Sequence, residues 1–298
     1  MIHPAATVVL LREREGRLET LLMRRRATLG FLGGMWVFPG GRMEASDASP
    51  GAAARAHRST ATGRHGLLDA DGRPLDDDVA LGYAHAACRE AFEEAGVLLA
   101  RDAAGRPCGA ELAGRLAPER ARVTAEPTAF VRMLEAHDLR LDVDALCYWS
   151  HWITPSAEPK RFDTRFFVAA LPDGQHASAD LSELTEHRWI SPVDAVAECE
   201  RDALRMVPPT LYTLEDLAEC HARHGTLASM LAAEAGRAAP PVMPRMVMTP
   251  GAVDVVMPWD AGYDALDGEG PGYAGAWPDH LVRRRGRVTL GRPATGHP

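Results

Sequence analysis

The apolar positions near the start of the chain predict three strands. Apolar residues dominate 5–11 and 18–24, and the charged segment 12–17 between them contains Gly16, which suits a turn. A third apolar run, 35–38, predicts another strand that ends in a Pro-Gly-Gly sequence. The first forty residues therefore indicate the beginning of a sheet.

Helices and further strands follow along the chain. The apolar spacing predicts helices over 79–95, 111–116, 127–137, 192–204 and 210–221, and strands over 146–153, 165–171 and 186–190. Residues 48–78 have no sustained apolar period, so we expect mostly loop there, with a helical turn at 52–57. Past about Pro240 the chain is rich in Pro, Gly and Met, which predicts an irregular extension that covers the surface or is partly mobile.

The helix predicted over 79–95 carries three carboxylates on one side. Glu90, Glu93 and Glu94 fall within roughly 100° of one another, because positions i, i+3 and i+4 are neighbours on a helical surface. Arg89 lies four residues before Glu93, where a guanidinium can hold a carboxylate in place. Like charges this close favour a bound cation, and Mg²⁺ takes its ligands from carboxylates, water and phosphate. The pattern therefore indicates phosphate chemistry.

Most Glu-rich helical faces are merely solvated surface, so the surroundings of this one matter. Cys88, Phe92 and Ala95 give the helix an apolar face for a core, and Gly96 is typical of a helix C-terminus. The aspartates at 76–78 supply a cap and negative charge at the N-terminus. The helix is thus predicted to be anchored with its carboxylates in a fixed direction.

A glycine turn follows the third predicted strand. In the sequence Phe38-Pro39-Gly40-Gly41 the two glycines have no side chain. Because glycine has no Cβ, its main-chain groups can approach a ligand or metal closely. Alone, such a sequence most often indicates an ordinary turn.

Together the two segments resemble the Nudix box, which runs Gly, any five, Glu, any seven, then Arg-Glu-aliphatic-any-Glu-Glu-any-Gly-aliphatic. The second half is matched by Arg89, Glu90, Glu93, Glu94, Gly96 and Val97, with Ala91 at the first aliphatic position. In the first half, Asp47 occupies the Glu position that follows Gly41. The stretch 48–88 holds 41 residues where the pattern has seven, so the box contains an insertion of 34 residues.

The long insertion and its flanks resemble the coenzyme A diphosphatase-like branch of the Nudix hydrolases. The upstream signature of that branch begins Leu-Leu-Thr-any-Arg-Ser, and residues 21–26 match it in register, with Met23 in place of Thr and Arg26 in place of Ser. Gly30 stands where the signature has a second Arg, and Gly34 and the glycine turn follow at the same spacing. Residues 152–167 also resemble this branch.

The resemblance implies an α/β fold, the Nudix α/β/α sandwich with a mixed sheet. We expect the Nudix domain over residues 1–205, with its insertion at about 48–78, and a C-terminal helix and irregular extension over 206–298. Glu90, Glu93 and Glu94, with a main-chain carbonyl of Gly41, are the expected ligands of Mg²⁺ or Mn²⁺. Arg89, Glu90 and Glu93 are the expected catalytic residues, and either Glu90 or Glu93 is the general base.

Four residues are candidates for binding substrate. Arg25 belongs to the upstream signature, while Arg161 and Arg165 could bind phosphates and Phe162 could stack on a base. An alternative for Arg165 is an ion pair with Asp163 that pins the strand end. Nudix enzymes often place a further carboxylate near the metals, for which Glu183 and Glu186 are candidates, although surface charge is the more common explanation for either.

The implied reaction is hydrolysis of coenzyme A or an acyl-coenzyme A to a 4′-phosphopantetheine compound and adenosine 3′,5′-bisphosphate. ADP-ribose or a dinucleotide is an alternative substrate. A different class of protein, a Nudix-fold regulator that binds a nucleotide without cutting it, is also open. The intact carboxylates favour a hydrolase, because a pure binder has no need to concentrate them.

The composition of the chain limits the partners and the cellular compartment that we expect for this activity. The 298 residues carry a net charge of -8, which argues against nucleic acid as a partner. Five scattered cysteines indicate free thiols in a reducing compartment. We find no secretory signal and no apolar run long enough to cross a membrane, so we expect a cytoplasmic enzyme with a small nucleotide substrate. Whether it forms a homodimer is left open.

Overall fold

The computed structural model describes residues 1–28, 32–57, 66–178, 184–249, 252–282 and 288–291. Its strands are β1 Ile2–Arg14, β2 Arg17–Arg25, β3 Trp36–Val37, β4 Gly40–Arg42, β5 Ala56–His57, β6 Ala100–Arg101, β7 Arg140–Asp142, β8 Cys147–Ile153, β9 Arg161–Ala170, β10 Leu184–Ile190, β11 Pro241–Val242, β12 Arg245–Thr249, β13 Ala252–Val256 and β14 Val288–Gly291. Its α-helices are α1 Pro50–Ala54, α2 Asp77–Ala95, α3 Ala110–Leu116, α4 Arg120–Ala125, α5 Thr128–Ala136, α6 Pro192–Glu200, α7 Pro208–His224, α8 Leu227–Glu234 and α9 Asp279–Val282. Gly30, Glu183 and part of the predicted insertion lie outside the described residues.

A mixed sheet forms the centre of the fold. Within the described ranges its strand order is β10-β2-β1-β9-β8-β11, with β3 paired to β2 and β4 paired to β1. The pairs β1–β9 and β8–β11 are parallel, and the other pairs in this sheet are antiparallel. Strand β1 is 13 residues long, so it pairs with two strands along one edge. Its first half pairs with β4 and its last residues pair with β2.

Both faces of this sheet are buried, which produces the α/β/α arrangement expected from the sequence. Along β1, Val8 and Leu10 point into a core shared with α2, whereas Val9 and Leu11 point into a core shared with α7. This alternation is the two-residue period of a strand. The continuous apolar run of β1 is explained by its burial on both faces.

Helix α2 forms as predicted and slightly longer. Cys88, Phe92 and Ala95 are fully buried, and Gly96 ends the helix with a φ of 68°, a left-handed conformation that glycine adopts without a Cβ penalty. Asp76 occupies the N-cap position, but its side chain makes no capping hydrogen bond. Negative charge at the N-terminus comes from Asp77 and Asp78 in the first turn.

Several predicted boundaries shift. Helix α1 begins at Pro50, earlier than the predicted turn at 52–57, because Ser49 caps it by accepting a hydrogen bond from the Ala52 N–H at 3.2 Å. Strand β9 begins at Arg161 instead of residue 165, because its first residues pair in parallel with Ile2 and the residues after it in β1.

The prediction of an irregular segment past Pro240 was wrong for residues 241–249 and 252–256. Strand β11 extends the central sheet, and β12, β13 and β14 form a second, antiparallel sheet. Val255 and Met257 are buried in the core that also contains α7. Strands of two to five residues are too short to show a period, which explains the error. The division of the chain at residue 205 stays a prediction.

A series of aromatic rings connects the central sheet with the C-terminal region. Trp152 of β8 contacts Tyr212, Tyr212 contacts Trp259, and Trp259 contacts Trp277, with centroids 5.6, 6.3 and 5.6 Å apart. Tyr273 completes the series 5.1 Å from Trp277. The neighbouring Gly272 N–H donates to the Ala70 carbonyl at 3.1 Å, so the C-terminal region also touches the insertion.

All five cysteines are free. No helix in the described part of the chain is both long enough and apolar enough to cross a membrane.

Candidate active site

The glycine turn lies against the carboxylates of α2. The Gly40 N–H donates to Glu94 Oε2 at 2.9 Å. A Cβ on Gly41 would lie 2.7 Å from Glu90 Cδ, closer than real Cβ contacts, so any other residue here would displace this carboxylate. Pairing of β4 with Ala5–Thr7 of β1 holds the turn in this place. The two segments that resemble the halves of the Nudix box are therefore in contact.

Arg89 is the centre of a buried hydrogen-bond network. Its Nη1 donates to Glu90 Oε1 at 2.9 Å and to Glu93 Oε1 at 2.6 Å. Its Nε and Nη2 each lie 3.0 Å from an oxygen of Asp47, and Nη2 also donates to the Arg42 carbonyl at 2.8 Å. These contacts engage all three nitrogens of the guanidinium. Arg89 thus fixes two of the carboxylates relative to β4.

The role of Asp47 was missed from the sequence. The residue is 2% exposed and its carboxylate accepts hydrogen bonds from two nitrogens of Arg89. It also accepts from the Glu44 N–H at 2.9 Å, which fixes its own orientation. The signal was present, because Asp47 stands at the Glu position of the box and carries the same functional group.

Burial sets the electrostatics of the two paired glutamates. It raises the pKa of Glu90, although the Arg89 charge beside it acts in the opposite direction and Glu93 acts in the same direction. Burial also raises the pKa of Glu93, again opposed by Arg89. An added cation stabilises carboxylates held in this way, and a raised pKa makes a carboxylate a better proton acceptor.

The donors around the glycine turn fit a hard divalent cation in their chemistry. Glu90, Glu93 and Glu94 line the same cavity as Gly41, and carboxylate and carbonyl oxygens are the ligands that Mg²⁺ prefers. The close approach of the Gly41 backbone to Glu90 leaves no side chain in the way. Across the described residues, however, no three acidic, His or Cys side chains already form a cluster that could hold a metal, since Arg89 engages Glu90 and Glu93. The metal site stays a prediction.

The carboxylates open onto a cavity of about 720 Å³. Such a volume is near the upper part of the range of about 300–1,000 Å³ for small-molecule sites. Its floor is one face of the central sheet, formed by Ala5 and Thr7 of β1, Thr164 and Phe166 of β9, and Trp152 of β8. The cavity therefore crosses several strands, and it has room for much more than a diphosphate.

Two of the four predicted substrate-binding residues line this cavity. Arg25 at the end of β2 and Phe162 in β9 both contribute to its wall. Lys160 lines it as well, with Nζ 5.3 Å from the centroid of the Phe162 ring. A ring and cations are thus present within one cavity.

The structure does not bring Arg161 or Arg165 into the cavity lining. Arg165 is fully buried, pairs with Asp163, and donates to the Tyr83 hydroxyl at 3.0 Å and to the Leu68 carbonyl. This is the structural alternative that the sequence left open.

Arg161 is held in a similar way. Its Nη1 lies 2.8 Å from Glu269 Oε2, and its Nε donates to the Thr154 carbonyl at 3.1 Å. Strand alternation explains the difference from Phe162, because neighbouring residues of β9 face opposite sides. Glu186, the other described carboxylate considered from the sequence, is exposed on β10 and 3.9 Å from Arg24.

Arg120 is a second contact that the sequence did not suggest. Its Nε and Nη2 donate to the Glu93 carbonyl at 3.1 and 2.9 Å, and Nη2 also donates to the Ser178 carbonyl at 3.0 Å. Cations near a helix C-terminus satisfy the last carbonyls. Arg120 therefore steadies the turn of α2 that carries the carboxylates.

Comparison with known proteins agrees with this fold and site. A model of the NUDT19 Nudix domain matches residues 3–217. The human acyl-coenzyme A diphosphatase NUDT19 is 34% identical over 226 residues, a match that covers 66% of this chain and 60% of that protein. The Gallus gallus protein of the same name is 31% identical over 227 residues, with the same coverage.

A solved structure is similar over most of its length. The crystal structure of a Nudix hydrolase from Alicyclobacillus acidocaldarius has a TM-score of 0.64 and 31% identity, and the match covers 78% of this chain and 96% of that one. The chain belongs to the NUDT19 Nudix domain family of the Nudix hydrolases. The resemblance to the coenzyme A diphosphatase-like branch is thus confirmed. The chain spans about 60% of the length of the curated relatives it matches.

Proposed function

We propose that this chain is a metal-dependent hydrolase that cleaves the diphosphate of coenzyme A or an acyl-coenzyme A. The products would be 4′-phosphopantetheine, or its acyl form, and adenosine 3′,5′-bisphosphate. The observation that carries this proposal is the contact of the glycine turn with Glu90 and Glu94 at one end of a large cavity. The names of the human and chicken relatives support this choice of substrate.

Glu90, Glu93 and Glu94, with the Gly41 carbonyl, would hold Mg²⁺ or Mn²⁺. When bound, such an ion neutralises charge on the diphosphate and lowers the pKa of a coordinated water. The protein supplies the proton acceptor for that water, and Glu90 and Glu93 are the two candidates because burial raises the pKa of each. No nucleophilic side chain is required.

Arg89 is proposed as a positioning residue. Its nitrogens are engaged by Asp47, Arg42, Glu90 and Glu93, so it orients the carboxylates instead of contacting the substrate. The sequence placed Arg89 among the catalytic residues and also predicted that it holds a carboxylate, and the contacts support the second role.

The remaining cavity residues fit a nucleotide. Arg25 and Lys160 present cations to phosphate groups, and the Phe162 ring offers a face on which adenine can stack. We keep the cytoplasm as the expected location and a small nucleotide as the expected partner, with a homodimer left open.

A substrate panel tests the proposal. The purified chain with Mg²⁺ or Mn²⁺ is incubated with coenzyme A, acyl-coenzyme A, ADP-ribose, NADH and diadenosine compounds, and the products are separated by chromatography. We expect adenosine 3′,5′-bisphosphate from the coenzyme A compounds, with loss of turnover when the metal is chelated. Faster cleavage of ADP-ribose would overturn the substrate assignment. Binding of these compounds without any cleavage would instead indicate a regulator.

The variant Glu94→Gln serves as the matched test of the carboxylates. It keeps the size and the hydrogen-bond acceptor of the side chain but removes its charge, so we expect the fold to persist and turnover to fall by about two orders of magnitude or more. Retained turnover in a folded Glu94→Gln protein would exclude the proposed metal ligand.

A further inference from the structure

The C-terminal region contributes one wall of the cavity. Met246 of β12 and Val255 of β13 line it, together with Pro244. Strand alternation directs Met246 inward and Arg245 elsewhere, because Arg245 Nη1 donates to the Tyr263 carbonyl at 2.5 Å and its guanidinium lies 4.3 Å from the Tyr263 ring centroid. These residues follow position 217, where the match to the family model ends.

This wall lies at the far side of the sheet from the glycine turn. The strands run in the order β4, β1, β9, β8 and β11, and β11 leads directly into Pro244 and β12. Strands β1, β9 and β8 thus lie between the glycine turn and the strand that leads into this wall. The wall and the carboxylates of α2 line the same cavity from different elements.

The residues that this wall contributes are mostly apolar. Besides Met246, Val255 and Pro244 they are Val207, Pro208 and Pro209, with the polar Thr210 next to them, whereas the charged Glu158 and Lys160 line the cavity from the loop before β9. In the part of the chain that the structure describes, residues 241–256 bring no charged side chain into the cavity lining. Phosphates and a base edge require charges or hydrogen-bond donors, whereas an alkyl chain requires only apolar contact.

We propose that β12 and β13, with the start of α7, form the binding site for the aliphatic chain of an acyl thioester. The inference rests on the proposed function, in which the diphosphate lies at the carboxylates. The thiol end of coenzyme A extends from that diphosphate, so an acyl group on it reaches away from the metal ligands. The C-terminal strands then make the enzyme prefer acyl-coenzyme A over free coenzyme A.

The test compares two methionines of the same strand. Met246 lines the cavity, whereas Met248 is 61% exposed and lies outside its lining. The variants Met246→Asp and Met248→Asp introduce the same charge, and kcat/KM is measured for free coenzyme A, butanoyl-coenzyme A and dodecanoyl-coenzyme A. Circular dichroism and thermal melting check that both variants fold, and Met246→Ala replaces Met246→Asp if the charge prevents folding.

In the wild-type protein we expect kcat/KM to rise with chain length. Met246→Asp lowers the ratio of kcat/KM for dodecanoyl-coenzyme A to that for free coenzyme A at least tenfold, because a carboxylate cannot replace the apolar contact that a methionine makes with the methylenes of the chain. For Met246→Ala the decrease is about threefold. Met248→Asp keeps the wild-type ratio. An unchanged ratio in the folded Met246 variant, or an equal change in both variants, overturns the inference.

Direct binding separates this inference from the proposed function. If the wild-type protein cleaves none of the three compounds, the proposed function fails. Isothermal titration calorimetry with the same compounds then tests whether the apolar wall binds an acyl chain. Tighter binding of dodecanoyl-coenzyme A than of coenzyme A, lost in Met246→Asp and kept in Met248→Asp, supports the apolar site on its own. Equal binding of both compounds by the wild-type protein overturns it.

Discussion

At the scale of single residues, Asp47 shows how a departure from a motif can keep its physical role. It stands where the resemblance calls for Glu, and its shorter side chain still reaches Arg89 with both oxygens. The ion pair is 2–3% exposed, so it is desolvated and depends on the hydrogen bonds that accompany the charges. Its purpose is to hold Arg89, which in turn holds the carboxylates.

We expect Asp47→Ala to destabilise the protein by about 2–4 kcal/mol, because it leaves buried N–H groups of Arg89 without their acceptor. Urea unfolding followed by circular dichroism measures the loss. Glu111→Ala is the control, since it removes an ion pair with Arg115 in which Glu111 is 89% exposed, and the urea midpoint should stay unchanged. Equal midpoints for the two variants would show that the buried pair has no special role.

Gly41 gives a second prediction at this scale. In Gly41→Ala the added Cβ pushes the Glu90 carboxylate aside, so we expect diphosphate hydrolysis to fall by about 10- to 100-fold. Gly114→Ala is the matched control, because it lies inside α3 with open space around the position of its Cβ, and the change favours a helix. Activity of Gly41→Ala at the Gly114→Ala level would contradict the proposed role of the turn.

The sequence indicated the chemistry of these residues better than their directions. The spacing of Glu90, Glu93 and Glu94 on one helix was enough to predict a common side, because helical geometry is local. Whether Arg165 faces a cavity or a core depends on the strands that pair around it, which its own sequence does not show. Its burial beside Asp163 is therefore information that only the folded sheet contains.

At the scale of elements, β9 connects the sheet with the insertion. Arg165 in this strand donates to the carbonyl of Leu68, and its guanidinium lies 4.4 Å from the ring centroid of Tyr83 in α2. One side chain thus connects β9 with two segments that lie 82 and 97 residues earlier in the chain. The insertion has little regular structure of its own in the described residues, so such contacts are what fix its position.

We expect Arg165→Met to release the insertion. Without the guanidinium, amide groups of residues 66–76 should exchange with deuterium faster, because the contact that orders Leu68 is gone. Asp163 loses its ion pair with Arg165 and keeps its contact with His151. Hydrogen–deuterium exchange with mass spectrometry measures this change. Arg188→Met removes an exposed Arg–Glu198 pair on β10 and should leave exchange in 66–76 as in the wild type. Unchanged exchange in Arg165→Met would contradict the anchoring role.

The accuracy of the element predictions followed element length. Helix α2, with 19 residues and a clear apolar face, was predicted to within two residues at its start. Strands β11, β12 and β13 have two, five and five residues and were missed. Short strands are stabilised by pairing with strands that are distant in sequence, and the local sequence pattern does not predict that pairing.

At the scale of the whole molecule, two cores on opposite faces of the sheet determine stability. One contains α2 and the other contains α7 together with Val255, Met257 and Leu281 of the C-terminal region. The second core thus includes residues beyond 217, where the family match ends. The order of strands in the sheet could not be read from the sequence, because it depends on parallel pairs such as β1–β9 that are about 160 residues apart.

Buried histidines should make global stability depend on pH. His85 in α2 is fully buried, and burial lowers its pKa to about 4, although Asp47 acts in the opposite direction. The folded protein therefore keeps His85 neutral while the unfolded chain protonates it below about pH 6.5. The contribution of neutral His85 to the free energy of unfolding is fully present above about pH 6.5 and is lost as the pH falls from about 6.5 to 4.

We expect the wild type to lose about 2 kcal/mol more unfolding free energy than His85→Leu between pH 7.5 and pH 5. Urea unfolding at the two pH values measures the difference. Burial raises the pKa of Glu90, so this residue changes the pH dependence of stability in the opposite direction to His85. Its contribution is the same in both proteins, and the difference between them therefore reports on His85. Parallel losses in the two proteins would mean that His85 does not resist protonation.

The aromatic series from Trp152 to Tyr273 has a practical consequence. Trp152 belongs both to the wall of the cavity and to the first ring contact of the series. Because the emission of an indole depends on the polarity around it, a molecule that enters the cavity should alter the intrinsic fluorescence of the unlabelled protein. The chain therefore carries its own optical probe of occupancy, which a Trp152→Phe substitution would silence.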